Sequence, residues 1–133
     1  MYKILIVEDD EILRDNLRSC LLTEGYHVLI AENGIKAYQI VLGNSPDLII
    51  SDIHMPYMDG IELMTTLHHE NQTKYIPFIF ITADIERPRM NEELSIGVKE
   101  YITKPFDLNE LLQKIKSAIS KNPVPELKIK IKK

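Results

Sequence analysis

The chain has 133 residues, 44% hydrophobic and 27% charged, which suits one soluble globular domain with a sizeable core. Of its 16 basic and 20 acidic residues, five lysines and Glu126 fall between Lys121 and Lys133, leaving 11 basic and 19 acidic residues in the body. An acidic body argues against direct nucleic-acid binding, and no apolar stretch approaches the ~20 residues of a membrane span. With no signal-peptide pattern and Cys20 as the lone cysteine, no intrachain disulfide can form and a reducing cytoplasm is expected. Cys20 lies in an apolar helical stretch and reads as a buried, inert thiol.

Strands and helices alternate along the chain. Lys3–Val7 reads as a strand because Ile4-Leu5-Ile6-Val7 is a continuous apolar run. Glu11–Glu24 reads as a helix with Ile12, Leu13, Leu17 and Leu21 on one stripe, stopped by Gly25. A strand over Tyr26–Ala31 and a helix from about Gly34 to Leu42 follow. Asp47–Asp52 is the third strand, Met55–Gly60 a loop and Ile61–His69 a helix. Pro77–Ile81 is the fourth strand, with a helix expected from about Pro88 to Ile96 and a short strand over Glu100–Ile102. Asp107–Ser120 is the last helix, with Asp107 and Glu110 placed as a capping box and Leu108, Leu111, Leu112, Ile115 and Ile119 on its apolar face. Asn122-Pro123-Val124-Pro125 closes the domain at about residue 120, and residues 121–133 read as a tail or linker. Five such units with right-handed crossovers make a doubly wound parallel α/β sheet with helices on both faces.

The chemistry-bearing residues cluster by position. Glu8-Asp9, Asp52, Thr82 and Lys104 stand at or just after the ends of strands one, three, four and five, and in such a sheet those ends line one crevice. Singly, each has a bland reading, since surface carboxylates are ordinarily solvated and Lys104-Pro105 is ordinarily a turn. Together they point elsewhere. Converging carboxylates repel one another unless a hard cation lies between them, and magnesium takes oxygen ligands from few carboxylates plus phosphate. Asp10 reads as a solvated neighbour or helix-start residue, Asp59-Gly60 as helix-start structure, and His27, His68 and His69 as surface residues. His68-His69 has no third ligand nearby, so a zinc site is not expected.

Across about residues 2 to 120 the chain resembles the receiver domains of two-component response regulators. The resemblance rests on Ile4–Asp10, Asp47–Gly60 (including Ser51-Asp52-Ile53-His54-Met55-Pro56), Thr82-Ala83 and Tyr101-Ile102-Thr103-Lys104-Pro105-Phe106. It implies a flavodoxin-like (βα)5 fold with five parallel strands in the order 2-1-3-4-5. Asp52 is then the phosphoacceptor, and Glu8, Asp9, Asp52 and the backbone carbonyl of His54 are the ligands of Mg2+, for which Mn2+ can substitute. Thr82, Ala83 and Lys104 become phosphoryl contacts, Tyr101 the switch aromatic (a half-buried strand residue on the plainer reading), and Pro105 the partner of a cis peptide bond. His54 and Asp84 flank the path of a hydrolytic water and are candidates for tuning phosphoryl lifetime.

The implied function is a switch, not an enzyme: Asp52 is phosphorylated by a sensor histidine kinase or histidine phosphotransfer protein. The phosphoryl group then biases a surface for a downstream target or effector domain, with a phosphorylation-dependent homodimer as a further expectation. No membrane partner is expected. One rival is an interaction module that kept the fold without phosphorylation; the retained acids, Thr82 and Lys104 argue against it. The other is an aspartyl-phosphate phosphatase of the haloacid dehalogenase type, which wants an acid where His54 stands.

Overall fold

The computed structural model describes residues 1–83 and 98–120. Five parallel strands, β1 (Lys3–Val7), β2 (His27–Ala31), β3 (Leu48–Asp52), β4 (Phe78–Thr82) and β5 (Val98–Thr103), form one sheet in the order β2-β1-β3-β4-β5. Four described helices accompany it: α1 (Glu11–Thr23), α2 (Gly34–Asn44), α3 (Gly60–His68) and α4 (Leu108–Ser120). The helix expected at about 88–96, and the tail expected over 121–133, lie outside the described residues.

The continuous apolar runs have a plain cause, because alternate residues of each strand feed opposite cores. Ile4 and Ile6 of β1, Leu48 and Ile50 of β3, and Ile79 and Ile81 of β4 pack with Leu17 and Leu21 of α1 and Leu111 and Ile115 of α4. Their neighbours Leu5, Val7, Ile49, Phe78 and Phe80 pack with Ala37 and Val41 of α2 and Leu63, Met64 and Leu67 of α3. Burying a leucine- or isoleucine-sized side chain contributes roughly 1.5–3 kcal/mol, so both layers hold the strand ends in register.

Local chemistry sets the helix starts. Asp10 caps α1, accepting from the N–H groups of Ile12 (3.0 Å) and Leu13 (3.2 Å). Asn33 caps α2 through the Lys36 N–H at 2.9 Å. Asp59 and Glu62 exchange hydrogen bonds at the start of α3, a complete capping box. Asp107 accepts from Asn109 N–H at 2.9 Å, which supports its capping role at α4.

Several expectations are corrected. Ile12 is not on the buried stripe of α1: it is 75% exposed, because at roughly 3.6 residues per turn it lies about 140° around the helix from Leu17 and about 180° from Leu21. Leu108, in the first turn of α4, is 40% exposed and is not among the residues that helix buries, Leu111, Ile115, Ala118 and Ile119. β5 extends to Val98–Thr103 because it pairs along β4 as far as Thr82↔Thr103. His68 is half-buried, its ring edge-on to Phe78 at 5.8 Å and its Nε2 3.3 Å from the Ile76 carbonyl. Cys20 is half-buried rather than buried, and desolvation, with the nearby Glu24 charge, still pushes its thiol pKa up.

Candidate functional site

Pairing of neighbouring strands brings the candidate residues to one end of the sheet. β1 lies beside β3 in the register Val7↔Ser51, so Glu8 and Asp9 emerge next to Asp52. β3 lies beside β4 with Asp52↔Ile81, which puts Thr82 one residue beyond on the adjoining strand. The Lys104 N–H donates to the Thr82 carbonyl at 2.8 Å, tying the residue after β5 to the end of β4. The Lys104–Pro105 peptide bond is cis.

One carboxylate oxygen each from Glu8, Asp9 and Asp52 lie within 4.8 Å of one another. Glu8 is 1% exposed and Asp52 7%, whereas Asp9 is on the surface. The Lys104 ammonium bridges the two buried acids, 2.9 Å from Asp52 Oδ2 and 3.2 Å from Glu8 Oε1. The remaining oxygens take backbone donors: Asp52 Oδ1 accepts from His54 N–H at 3.2 Å and Glu8 Oε2 from Asp10 N–H at 3.1 Å. Burial raises the Glu8 pKa to about 7, helped by the Asp52 charge and opposed by the Asp10 hydrogen bond and Lys104. Burial disfavours the Lys104 ammonium, yet its hydrogen bond and charge pairing with Asp52, and with Glu8, outweigh this and raise its pKa.

One lysine facing three carboxylates leaves the cluster short of positive charge. The donor set, all hard oxygens from few carboxylates at a solvent-open edge, fits a divalent cation of the magnesium type. Beside Lys104 an open groove of about 650 Å³ runs along α1, lined by Asp10, Ile12, Leu13, Ala83, Lys104 and Phe106 among others.

The family described as the response regulator receiver domain matches residues 4–116. The chain belongs to that family. It is 37% identical over 116 residues to the phosphate regulon transcriptional regulatory protein PhoB of Pseudomonas aeruginosa, a match covering 87% of this chain and 51% of PhoB. The chain spans about half the length of the curated relatives it matches. Among solved structures, the chemotaxis protein CheY4 of Vibrio cholerae superposes with a TM-score of 0.82 at 28% identity, covering 90% of this chain and 99% of that one. The response regulator TrrA of Thermotoga maritima, solved in complex with Mg2+–BeF, gives 0.78 at 32% identity, covering 90% and 100%.

Of the receiver-domain residues named from sequence, Glu8, Asp9, Asp52 and Lys104 meet directly, and His54 joins them through its backbone N–H. Thr82 is buried at the end of β4, and Ala83 lines the groove beside Lys104. Tyr101 is half-buried, with its ring 6.0 Å from that of Phe80. Asp84 lies outside the described residues. Two contributors escaped the sequence reading. Arg14, in α1, donates from Nη1 to the Glu8 carbonyl at 2.9 Å and so helps fix the acidic turn. Gly60 touches the acceptor strand itself, since a Cβ there would stand 2.4 Å from the Asp52 carbonyl oxygen. Nothing local marks Arg14, whereas an Asp-Gly pair at a helix start could have been read as a close approach as well as a cap.

In the loop between Asp52 and Gly60, Tyr57 has φ +72° and is the central residue of a three-residue γ-turn in which the Met58 N–H donates to the Pro56 carbonyl at 2.9 Å. Tyr57 is 82% exposed.

Proposed function

We propose that this receiver domain accepts a phosphoryl group on Asp52 from a phosphohistidine of a sensor histidine kinase or histidine phosphotransfer protein. The observation that carries the reading is Asp52 itself: a carboxylate at a strand end, 2.9 Å from the Lys104 ammonium and grouped with two further acids. An Asp52 oxygen attacks phosphorus, an acyl phosphate forms, and the P–N bond breaks with its electron pair returning to the donor imidazole, which takes up a proton. Such a transfer asks for alignment and charge neutralisation rather than covalent help. Asp9, Asp52 and the His54 carbonyl would hold magnesium, with Glu8 as the second acid of the pair; Mn2+ can take its place. When bound, the metal supplies positive charge to the phosphoryl oxygens. The TrrA complex with Mg2+–BeF supports this choice of ion.

Lys104 exchanges its contact with the Asp52 oxygen for one with a phosphoryl oxygen, as a mobile point charge can. Thr82 offers its hydroxyl and Ala83 its backbone to the other oxygens. Tyr101 responds as Thr82 moves, which biases the surface presented to a downstream target, an attached effector domain or a second copy of the chain. His54 and Asp84 set how long the group survives. This is a binding switch that assists its own phosphorylation and dephosphorylation, working in the cytoplasm. Among the described residues no helix is long and apolar enough to cross a membrane.

Incubation with acetyl phosphate and magnesium is expected to add one phosphoryl group to the wild type and none at this site in Asp52→Asn, read by intact mass. Equal labelling of both proteins would overturn the acceptor assignment.

A further inference from the structure

We infer that Phe80 is a positioning residue that transmits the state of the Asp52 loop to Tyr101, a second route beside the one through Thr82. The inference rests on the phosphoacceptor reading of Asp52 and deepens it. Phe80 is 0% exposed, in the middle of β4. Its register partners are Ser51, the residue before the acceptor, and Tyr101. It therefore stands between them in the sheet.

Its side chain makes the same connection on one face. The ideal Cβ position of Gly60 is 3.0 Å from Phe80 Cε1 and 2.4 Å from the Asp52 carbonyl oxygen, so the ring edge rests on the residue that abuts the acceptor's backbone. The opposite contact is with Tyr101, whose ring centroid is 6.0 Å away at 33°. Side chains two apart on a strand share a face, so Phe80 also shares its face with Thr82. A ring with no exposure cannot shift unless its neighbours shift with it, because packed cores move between discrete arrangements rather than deforming continuously. When the loop over Gly60 tightens around a phosphorylated Asp52, Phe80 has Tyr101 as its half-buried neighbour on the next strand.

Phe78 supplies the control. It sits two residues earlier on the same face, 5.5 Å from the Phe80 ring, and is equally buried, but its other ring contact is His68 at 5.8 Å. Replacing Phe78 should cost comparable packing without touching either end of the route.

The test measures Tyr101 ring resonances by NMR before and after adding beryllofluoride with magnesium, alongside acetyl phosphate labelling of Asp52 by intact mass. Phe80→Leu, with Phe80→Met as the milder replacement, should keep Asp52 labelling. The equilibrium reported by Tyr101 should nevertheless fall about 2- to 30-fold, the span seen when a coupling residue is altered. Phe78→Leu should leave the Tyr101 response at the wild-type level. A full Tyr101 response in both Phe80 variants overturns the inference, and so does an equal loss in the Phe80 and Phe78 variants, which would make the effect general packing. A wild type that takes no phosphoryl group on Asp52 refutes the acceptor reading itself, a failure visible by mass before any variant is made.

Discussion

Lys104 and Asp52, 52 residues apart in the chain, form an ion pair at 2.9 Å in which the lysine also reaches Glu8 at 3.2 Å. The lysine is held there from two directions, by its backbone hydrogen bond to Thr82 and by its ammonium. It thereby serves as the internal counter-charge of a cluster that otherwise contains only acids.

Lys104→Met should therefore destabilise the metal-free protein. The lysine side chain is 25% exposed, so the cost should fall between the ~1 kcal/mol of an exposed pair and the ~3–5 kcal/mol of a buried one left without its partner. Magnesium should restore more stability to the variant than to the wild type, because it replaces the missing positive charge. Urea unfolding with and without magnesium checks both, and equal magnesium effects would separate the lysine from the metal site.

Glu8 makes stability depend on pH. Its folded pKa of about 7 lies above its ordinary value of 4.5, so the native state holds the proton more tightly. The stabilisation from this group is complete below about pH 4.5 and is lost as pH rises through about 7. Without divalent ions, Glu8→Gln should gain on the wild type from pH 5 to pH 8, with a slope no steeper than about 1.4 kcal/mol per pH unit. Magnesium should flatten the difference by pairing with the carboxylate. Urea midpoints across that range, showing parallel curves for the two proteins, would count against a proton on Glu8.

The sheet and the converging ends were legible because the signals are local and redundant: apolar runs between breakers, then Glu8-Asp9, Asp52, Thr82 and Lys104 at strand ends. What failed depends on geometry between distant segments. Leu108 satisfies the helical stripe of α4 yet is exposed, and His68 looks like a surface residue until Phe78 is placed beneath it. Arg14 reaches the Glu8 carbonyl only once α1 has packed against the sheet. The sequence pattern gives the period of a helix but not which side chains of its first turn clear the sheet.

Two glycines should respond in opposite directions to alanine. A Cβ at Gly60 meets the Asp52 carbonyl oxygen at 2.4 Å and Ile53 Cα at 3.1 Å, both backbone atoms that cannot swing aside. Gly60→Ala should cost roughly 1–3 kcal/mol, as overpacking does, and should slow acetyl phosphate labelling by displacing the acceptor. At Gly43, near the end of α2, nothing lies within 4 Å of the added carbon and φ is ordinary. Gly43→Ala should stabilise by about 0.4–1 kcal/mol through the loss of unfolded-chain freedom. Chemical denaturation of the pair checks the contrast, and a neutral Gly60→Ala would mean that the α3 start can retreat from β3.

Asp9 and Asp10 are adjacent acids with separable roles. Asp9 contributes an oxygen to the three-carboxylate cluster, whereas both cap hydrogen bonds of Asp10 go to the first turn of α1. Binding to the native state alone stabilises by mass action, about 2.7 kcal/mol at a hundredfold excess over the dissociation constant. Magnesium should thus raise the melting temperature of the wild type. In Asp9→Asn that rise should shrink, while the metal-free protein should hold or gain stability as repulsion within the cluster is relieved. In Asp10→Ala the metal-free protein should lose about 1 kcal/mol with its cap, yet the rise on adding magnesium should persist. Thermal melts of the three proteins at low ionic strength, with and without magnesium, distinguish the cases. A magnesium effect abolished by Asp10→Ala and kept by Asp9→Asn would exchange the two assignments and move the metal off the cluster.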